Sequence, residues 1–316
     1  MYKLYVDENE NSSASVLLAG SGRGGTTWLA EAINFDNSYR LMFEPFNSSR
    51  VPECRSFNSC QYLRAQTTDP AFLSPAAEIF SGRLRNAWVD AYNRKLRVKR
   101  RLVKDIRVNL LLAWIRAQFP EIPIILLLRH PCAVAYSRSR LGWNSDLEST
   151  FLAQPTLLED FLQPFQSAMK HARSEFERHV YWWCIETYVP LMQFKPGEIL
   201  VVTYEDCVVS PKRAIERIFD YLDRPFNDKV LDVVRRPSSQ TRWNWRSRNA
   251  SAIVSGEGIV DAWQRSVSRR DSERAIDILK QFGLDTIYST DPVPDSAAIE
   301  QFMMKDHHAT NFVLPG

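Results

Sequence analysis

Residues 20–28 read GSGRGGTTW and directly follow a short, wholly apolar run, SVLLAG at residues 15–20. Glycines between a buried strand and a helix let backbone N–H groups close around an anion at the helix N-terminus, which is phosphate-binding chemistry. Gly20 and Gly25 are spaced as in the nucleoside-triphosphate pattern GxxxxGK[ST], yet Thr26 stands where that pattern has lysine, and Arg23 is the only cation inside the loop. A second apolar run, PIILLL at 123–128, ends in Arg129. A triphosphate enzyme places a Mg²⁺-holding carboxylate at such a strand end. A cation there predicts an anionic ligand handled without metal, with Ser137, eight residues on, as its helical companion. The plain alternatives are a structural ion pair for Arg129 and an ordinary exposed helix serine for Ser137.

Other residues carry weaker signals. Glu44 ends the run YRLMF (39–43) and precedes Pro45, which favours an extended backbone aimed into the ligand crevice. It is a candidate general base, weak at an ordinary carboxyl pKa, so burial is expected to raise it; ordering the loop by pairing with Arg23 is its other reading. Lys104-Asp105-Ile106 ends a further strand, and Lys104 is placed to meet an anion or to be solvated. Six of the eight residues in RKLRVKRR (94–101) are basic, a solvated stretch by default and otherwise a polyanion-steering surface. Trp243 and Trp245, among arginines, read equally as sugar-stacking or packing residues. His171 and His179 are not four apart and no HExxH occurs, so no metal site is indicated.

Strands at 15–20, 39–43, 101–106, 123–128 and 198–204 must carry these groups. Helices are expected at 26–33, 75–94, 108–118, from 131 to about 141, over much of 157–194, and at 211–222, 259–267 and 271–282. Residues 47–69, 142–164 and 235–258 read as loops. Strands alternating with helices predict a three-layer α/β fold, a central parallel β-sheet flanked by helices on both faces. The reading is one domain over residues 1–290 and a loose C-terminal tail over 291–316.

The chain has 316 residues, 45% apolar and 24% charged, which excludes a disordered, collagen-like or disulfide-scaffold protein. A net charge of +3 is too small to demand nucleic acid. The five cysteines (Cys54, Cys60, Cys132, Cys184, Cys207) are odd in number and lack a CxxC pair, as expected of reduced thiols in a cytoplasmic protein. No signal peptide and no membrane span are read, since the most apolar run is too short to cross a bilayer.

SGRGGTTW resembles the 5′-phosphosulfate loop of sulfotransferases that use 3′-phosphoadenosine 5′-phosphosulfate (PAPS). RHPCAVAYS, from Arg129 to Ser137, resembles their 3′-phosphate motif, and TYEDCVVSP (203–211) resembles their Tyr-Glu-Asp strand end. The resemblance runs from residue 15 to about 282 and implies a P-loop-containing, nucleotide-hydrolase-like sulfotransferase fold. Phe43-Glu44-Pro45 and the pair Ser137-Arg138 are most similar to the carbohydrate sulfotransferase branch. By resemblance, Arg23, Gly24, Gly25, Thr26 and Thr27 hold the 5′-phosphosulfate, Trp28 and Tyr204 lie at the adenine, and Arg129 and Ser137 take the 3′-phosphate. Trp28 also has a plain core reading. Glu44, Arg23 and Lys104 become the catalytic set, Glu44 as base, Arg23 at the leaving phosphate and Lys104 at the sulfonate. The expected cofactor is PAPS, without metal, and the acceptor a small-molecule or carbohydrate hydroxyl. The chain departs from the pattern in three places. His130 replaces the Asp or Asn after the arginine. The KTH histidine of cytosolic small-molecule sulfotransferases is Ile106 here. The family's C-terminal Arg-Lys-Gly is missing, leaving Arg246 or Arg248 as substitutes. A P-loop kinase and a non-catalytic polyanion binder are the rival readings.

Overall fold

The computed structural model describes residues 6–95, 97–236 and 260–305. Five parallel strands form the central sheet in the order β3 (Tyr39–Phe43), β5 (Arg100–Asp105), β2 (Ser15–Gly20), β6 (Ile124–Leu128), β7 (Leu200–Thr203). Strand side chains alternate between the two faces, so successive apolar residues feed two separate cores. Leu17, Ala19, Val103, Leu126 and Val201 enter one; Val16, Leu18, Leu102, Ile125, Leu127 and Val202 enter the other. The first core is covered by α2 (Pro70–Phe80), α3 (Leu112–Gln118), α4 (Pro131–Arg140) and the long α7 (Glu175–Gln193). The second is covered by α1 (Thr26–Ile33), α8 (Tyr204–Val209), α9 (Pro211–Tyr221) and α10 (Lys229–Val234). Three layers result. Because all five strands are parallel, Gly20 and Asp105, which end strands, and Glu44, Arg129 and Tyr204, which follow strand ends, lie on one edge, where such sheets bind ligands.

Several elements differ from the sequence expectation. The helix expected over 75–94 is α2, which starts at Pro70 because the Asp69 carboxylate caps the N–H of Ala71 at 2.8 Å, and ends at the left-handed Gly82 (φ 74°). Residues after Gly82 form turns in which Trp88 and Tyr92 pack on Phe43. The 157–194 stretch breaks into short turns, among them α5 (Pro155–Leu157) and α6 (Gln166–Lys170), before Ser174 caps α7. β7 stops at Thr203, not Tyr204, since the Thr203 hydroxyl caps the N–H of Asp206 at 3.1 Å and starts α8. Within the helix expected at 259–267, the described residues form a single turn, Ala262–Arg265, followed by α11 (Arg269–Gln281). The tail expected from 291 holds a helix, α12 (Ser296–Met303), whose Ala298, Ile299, Phe302 and Met303 are buried in the first core. The N-terminal stretch, for which no element is expected from the sequence, supplies β1 (Val6–Asp7), paired with β4 (Arg97–Val98). Asp7 there ion-pairs with the buried Arg40 at 2.7 Å and Arg101 at 3.3 Å, so one member of the basic run is internal.

The core also sets a pH dependence. His179 on α7 is fully buried, both ring nitrogens lack a partner among the described residues, and burial pushes it down to about 4. Between the ordinary histidine value and 4 the unfolded chain binds a proton that the folded chain refuses, so stability falls as pH falls through that window. The loss is about 3 kcal/mol. His130, also near 4, adds a similar loss, while Glu205, raised by burial to about 7, gains stability over the same descent and offsets one of the two. His179→Leu is therefore expected to match wild type in Tm at pH 7.5 and exceed it at pH 5. Melting curves that fall in parallel for both proteins would contradict this.

Candidate active site

The loop leaving β2 binds itself into a tight turn, with the Gly24 N–H donating to the Ser21 carbonyl at 2.8 Å. Arg23 adopts φ 73° and Gly25 φ 99°, both left-handed. Glycine is required at 25, because a Cβ would lie 2.8 Å from the Tyr204 ring. Arg23 takes the same region against its preference, and such strain, about 1–3 kcal/mol, persists only where surroundings enforce it. Gly25 precedes α1 with no side-chain cap, so the first turn of the helix presents backbone N–H groups toward the loop.

Two further strand ends close on this loop. Arg129, after β6, donates through Nη1 to the Arg23 carbonyl at 3.2 Å, and its guanidinium lies 4.3 Å from the Tyr204 ring centroid. Arg23 Nε donates to Ser137 Oγ at 3.0 Å, so the two phosphate subsites implied by the resemblance are contiguous. Desolvation, then the like charges of Arg129, Arg138 and Arg140, hold the Arg23 guanidinium below the ordinary arginine value although solvent still reaches it. Neither Arg23 nor Arg129 has a carboxylate within ion-pair distance among the described residues. Trp28 lies in the second core, its indole N–H donating to the Val234 carbonyl at 3.1 Å, with Tyr204 at 5.2 Å between ring centroids. Its core reading is the one this geometry fits. Arg246 and Arg248 lie outside the described residues, as do Trp243 and Trp245.

Glu44 departs from expectation in conformation and in partners. Its φ is +47°, left-handed rather than extended despite Pro45. Its N–H donates to the Lys104 carbonyl at 2.7 Å and its carbonyl accepts from Asn47 at 3.2 Å, which together overrule the local preference. Its carboxylate bonds Lys104 Nζ and Arg107 Nη1, each at 2.7 Å, and not Arg23. Burial alone would raise this carboxyl, but the charges of Lys104 and then Arg107 outweigh it and hold Glu44 below the usual carboxylate value, the reverse of the expected direction. Lys104 is buried rather than solvated. Asp105, next to Lys104, is fully buried and accepts from the N–H groups of Phe46 and Arg107, both at 2.9 Å. His130 is also buried: its ring stacks on Trp263 at 4.2 Å, accepts the Cys132 N–H and faces the Ser289 carbonyl at 3.0 Å. Burial lowers its pKa to about 4, so the ring is neutral at ordinary pH, and it anchors the start of α4.

Sequence reasoning missed Arg107 and Glu186, and it read Arg138 only as a mark of the family branch. Arg107 follows Ile106 in the turn after β5, where no pattern singles it out. Arg138 bonds the Gly22 carbonyl at 3.1 Å and Glu186 at 2.9 Å, tying the loop to α7. These residues border a cavity of about 150 Å³ beside Gly22, lined also by Ser59, Cys60, Ile106, Trp143, Asn144 and Trp182. Two of the loops expected to choose an acceptor, 47–69 and 142–164, thus contribute to it. A second cavity, about 130 Å³, runs along β7 under α12 and shares no residue with the loop. No three His, Cys, Asp or Glu are grouped as metal ligands among the described residues, and no described helix is long and apolar enough to cross a membrane.

A model of the sulfotransferase family matches residues 15–228. The dog (Canis lupus familiaris) sulfotransferase 1B1 is 23% identical over 231 residues, 72% of this chain and 66% of the relative, so the match spans just under two thirds of the relative's length. Among solved structures, the sulfotransferase domain of the Synechococcus PCC 7002 olefin synthase is similar at 16% identity and TM-score 0.46, over 89% of this chain and 98% of that one. The mouse sulfotransferase SULT7A1, complexed with PAP, is similar at 14% identity and TM-score 0.44, over 96% and 91%.

Proposed function

The chain belongs to the sulfotransferase family, and from that premise we propose that it moves a sulfuryl group from PAPS to an acceptor hydroxyl of a small molecule or carbohydrate, without a metal ion. The observation that carries this reading is the pair of guanidiniums, Arg23 and Arg129, set at the mouth of a glycine loop with no described carboxylate to neutralise them. Adjacent cations without a counter-ion favour a ligand with two separated anionic groups, and a nucleotide phosphorylated at 5′ and 3′ is one. PAPS supplies the activated sulfuryl group and a phosphate leaving group. The loop from Arg23 to Thr27 holds the 5′ end, and Arg129 with Ser137 holds the 3′-phosphate. Tyr204, and Trp28 behind it, border the adenine side, and Arg246 or Arg248 completes the site as the resemblance implies. Arg23 stabilises charge on the departing phosphate. Lys104 faces the sulfonate, and Glu44 accepts the proton of the attacking hydroxyl.

A triphosphate kinase is disfavoured because Thr26 occupies the loop-lysine position and Arg129 the place of a metal-holding acid at the end of β6. Incubation with labelled PAPS and a panel of hydroxyl compounds in EDTA is expected to yield a labelled sulfate ester and an equivalent of 3′-phosphoadenosine 5′-phosphate. Transfer of the γ-phosphate of Mg·ATP, with no sulfuryl transfer, would instead establish the kinase reading.

A further inference from the structure

Glu205, the second residue of α8, is a fully buried carboxylate that the transfer chemistry does not use. Its Oε1 accepts the His130 N–H at 2.9 Å and its Oε2 accepts the Tyr288 hydroxyl at 3.2 Å, both neutral donors. No lysine or arginine lies within ion-pair distance of it among the described residues. A buried carboxylate loses hydration that two neutral hydrogen bonds do not replace, and burial raises it to about 7. Arg129, which adjoins His130, is the cation whose charge favours its ionised form. The other titratable groups around it carry no competing positive charge. His130 is neutral: its Nδ1 accepts the Cys132 N–H, so the proton sits on Nε2, which donates to the Ser289 carbonyl at 3.0 Å. Tyr204, Cys207 and Tyr288 are all raised by burial and stay protonated. Asp206, next on α8, accepts from Ser296 Oγ and lines the cavity along β7.

Arg129 connects this carboxylate to the nucleotide site. The peptide joining Arg129 to His130 donates its N–H to Glu205, while the Arg129 guanidinium donates to the Arg23 carbonyl and lies 4.3 Å from the Tyr204 ring centroid. Resting on the sulfotransferase reading, we propose that Glu205 is a positioning residue of the 3′-phosphate site, and that filling this site drives a proton from solvent onto Glu205. A phosphate dianion held by Arg129 neutralises the charge that favours the ionised carboxylate and adds negative charge of its own nearby. In a buried site such repulsion is poorly screened. The proton settles on Oε2, because Oε1 faces a backbone N–H that can only donate, whereas the Tyr288 oxygen has lone pairs to accept it. Glu205 then anchors the Arg129–His130 turn as a neutral acid, and Arg129 gives its charge to the phosphate alone. By linkage the bound state holds more protons than the free one, so affinity falls as pH rises above 7. A phosphate monoester loses its second proton at about pH 6, so the ligand itself is fully ionised over that range.

The test is calorimetry of the full chain with 3′-phosphoadenosine 5′-phosphate in HEPES and in Tris at pH 7.5, since proton uptake adds the buffer's ionisation heat to the signal. Wild type is expected to take up about half a proton per nucleotide and to bind about three- to tenfold more weakly at pH 8.5 than at pH 7. Adenosine 5′-phosphosulfate, which lacks the 3′-phosphate, should take up almost none. Glu205→Gln keeps the size of the side chain and an acceptor oxygen but cannot ionise. It should bind with no buffer-dependent heat and with level affinity from pH 7 to 8.5. Tyr288→Phe keeps the acid but removes a hydrogen bond to its ionised form, so the fall in affinity should move to higher pH. A merely structural role for Glu205 would move neither the proton count nor this profile. Nucleotide binding without proton uptake, or equal uptake by Glu205→Gln, would overturn the inference and leave the sulfotransferase reading standing. Failure of the wild type to bind the nucleotide at all would overturn both.

Discussion

Glu44→Gln is expected to lower kcat for sulfuryl transfer by about 10²–10⁴, with affinity for 3′-phosphoadenosine 5′-phosphate retained. Glutamine keeps the size of the side chain and one oxygen for Lys104 and Arg107, but it cannot hold a proton. Retained nucleotide affinity separates loss of the base from collapse of the loop. Because Lys104 and Arg107 hold the Glu44 carboxyl below its ordinary value, the group is ionised throughout the neutral range. The acid limb of kcat/KM should therefore lie below the ordinary glutamate value, with activity lost only as pH falls through it, and the variant should lack that limb. Survival of kcat within a few-fold would make Glu44 an anchor for its two cations. Asp105 and His130 would be poor replacements, since both are buried and hydrogen-bonded away from the cavity.

Arg129→Ala is expected to weaken 3′-phosphoadenosine 5′-phosphate by about 10- to 150-fold, the equivalent of a charge-assisted contact of roughly 1.5–3 kcal/mol. Adenosine 5′-phosphosulfate, which lacks the 3′-phosphate, should bind almost as before. Ser137→Ala should show the same selectivity at smaller amplitude, because its hydroxyl contributes a neutral donor and already accepts from Arg23 Nε at 3.0 Å. Calorimetry with the two nucleotides reads both variants, and equal losses for both would mean that Arg129 and Ser137 only shape the loop. Arg129 also contacts the Arg23 carbonyl and the Tyr204 ring, so some loss common to both nucleotides is built into the expectation.

How far the sequence revealed this site depends on how local each signal is. The glycine loop was legible because glycines between an apolar run and a helix leave few other readings, and the parallel sheet followed from apolar runs alternating with helical ones. Arg129 stood out as a charge ending a strand. Glu44 was singled out by position, but its environment was misjudged: Lys104 is 60 residues away and Arg107 63, and no local pattern reports such a pairing. The same blindness hid Glu186, which reaches Ser21 across 165 residues from the middle of the long, largely buried α7. Helix α12 was taken for tail because it is short, although Ala298, Ile299, Phe302 and Met303 recur at helical spacing and pack toward α7 and the β7 edge. The helix start at Asp69-Pro70 went unread because the reading followed the apolar spacing from Pro75 onward.

The central claim is a metal-free site for a nucleotide phosphorylated at both 5′ and 3′. Titration calorimetry of the full chain with 3′-phosphoadenosine 5′-phosphate in EDTA tests it most directly, with Mg·ATP as the comparison. Arg23 and Arg129 without a described counter-ion predict tight binding of the first, unchanged by adding Mg²⁺, and far weaker binding of the second. Tighter binding of Mg·ATP, or no binding of 3′-phosphoadenosine 5′-phosphate until a divalent ion is supplied, would contradict the account.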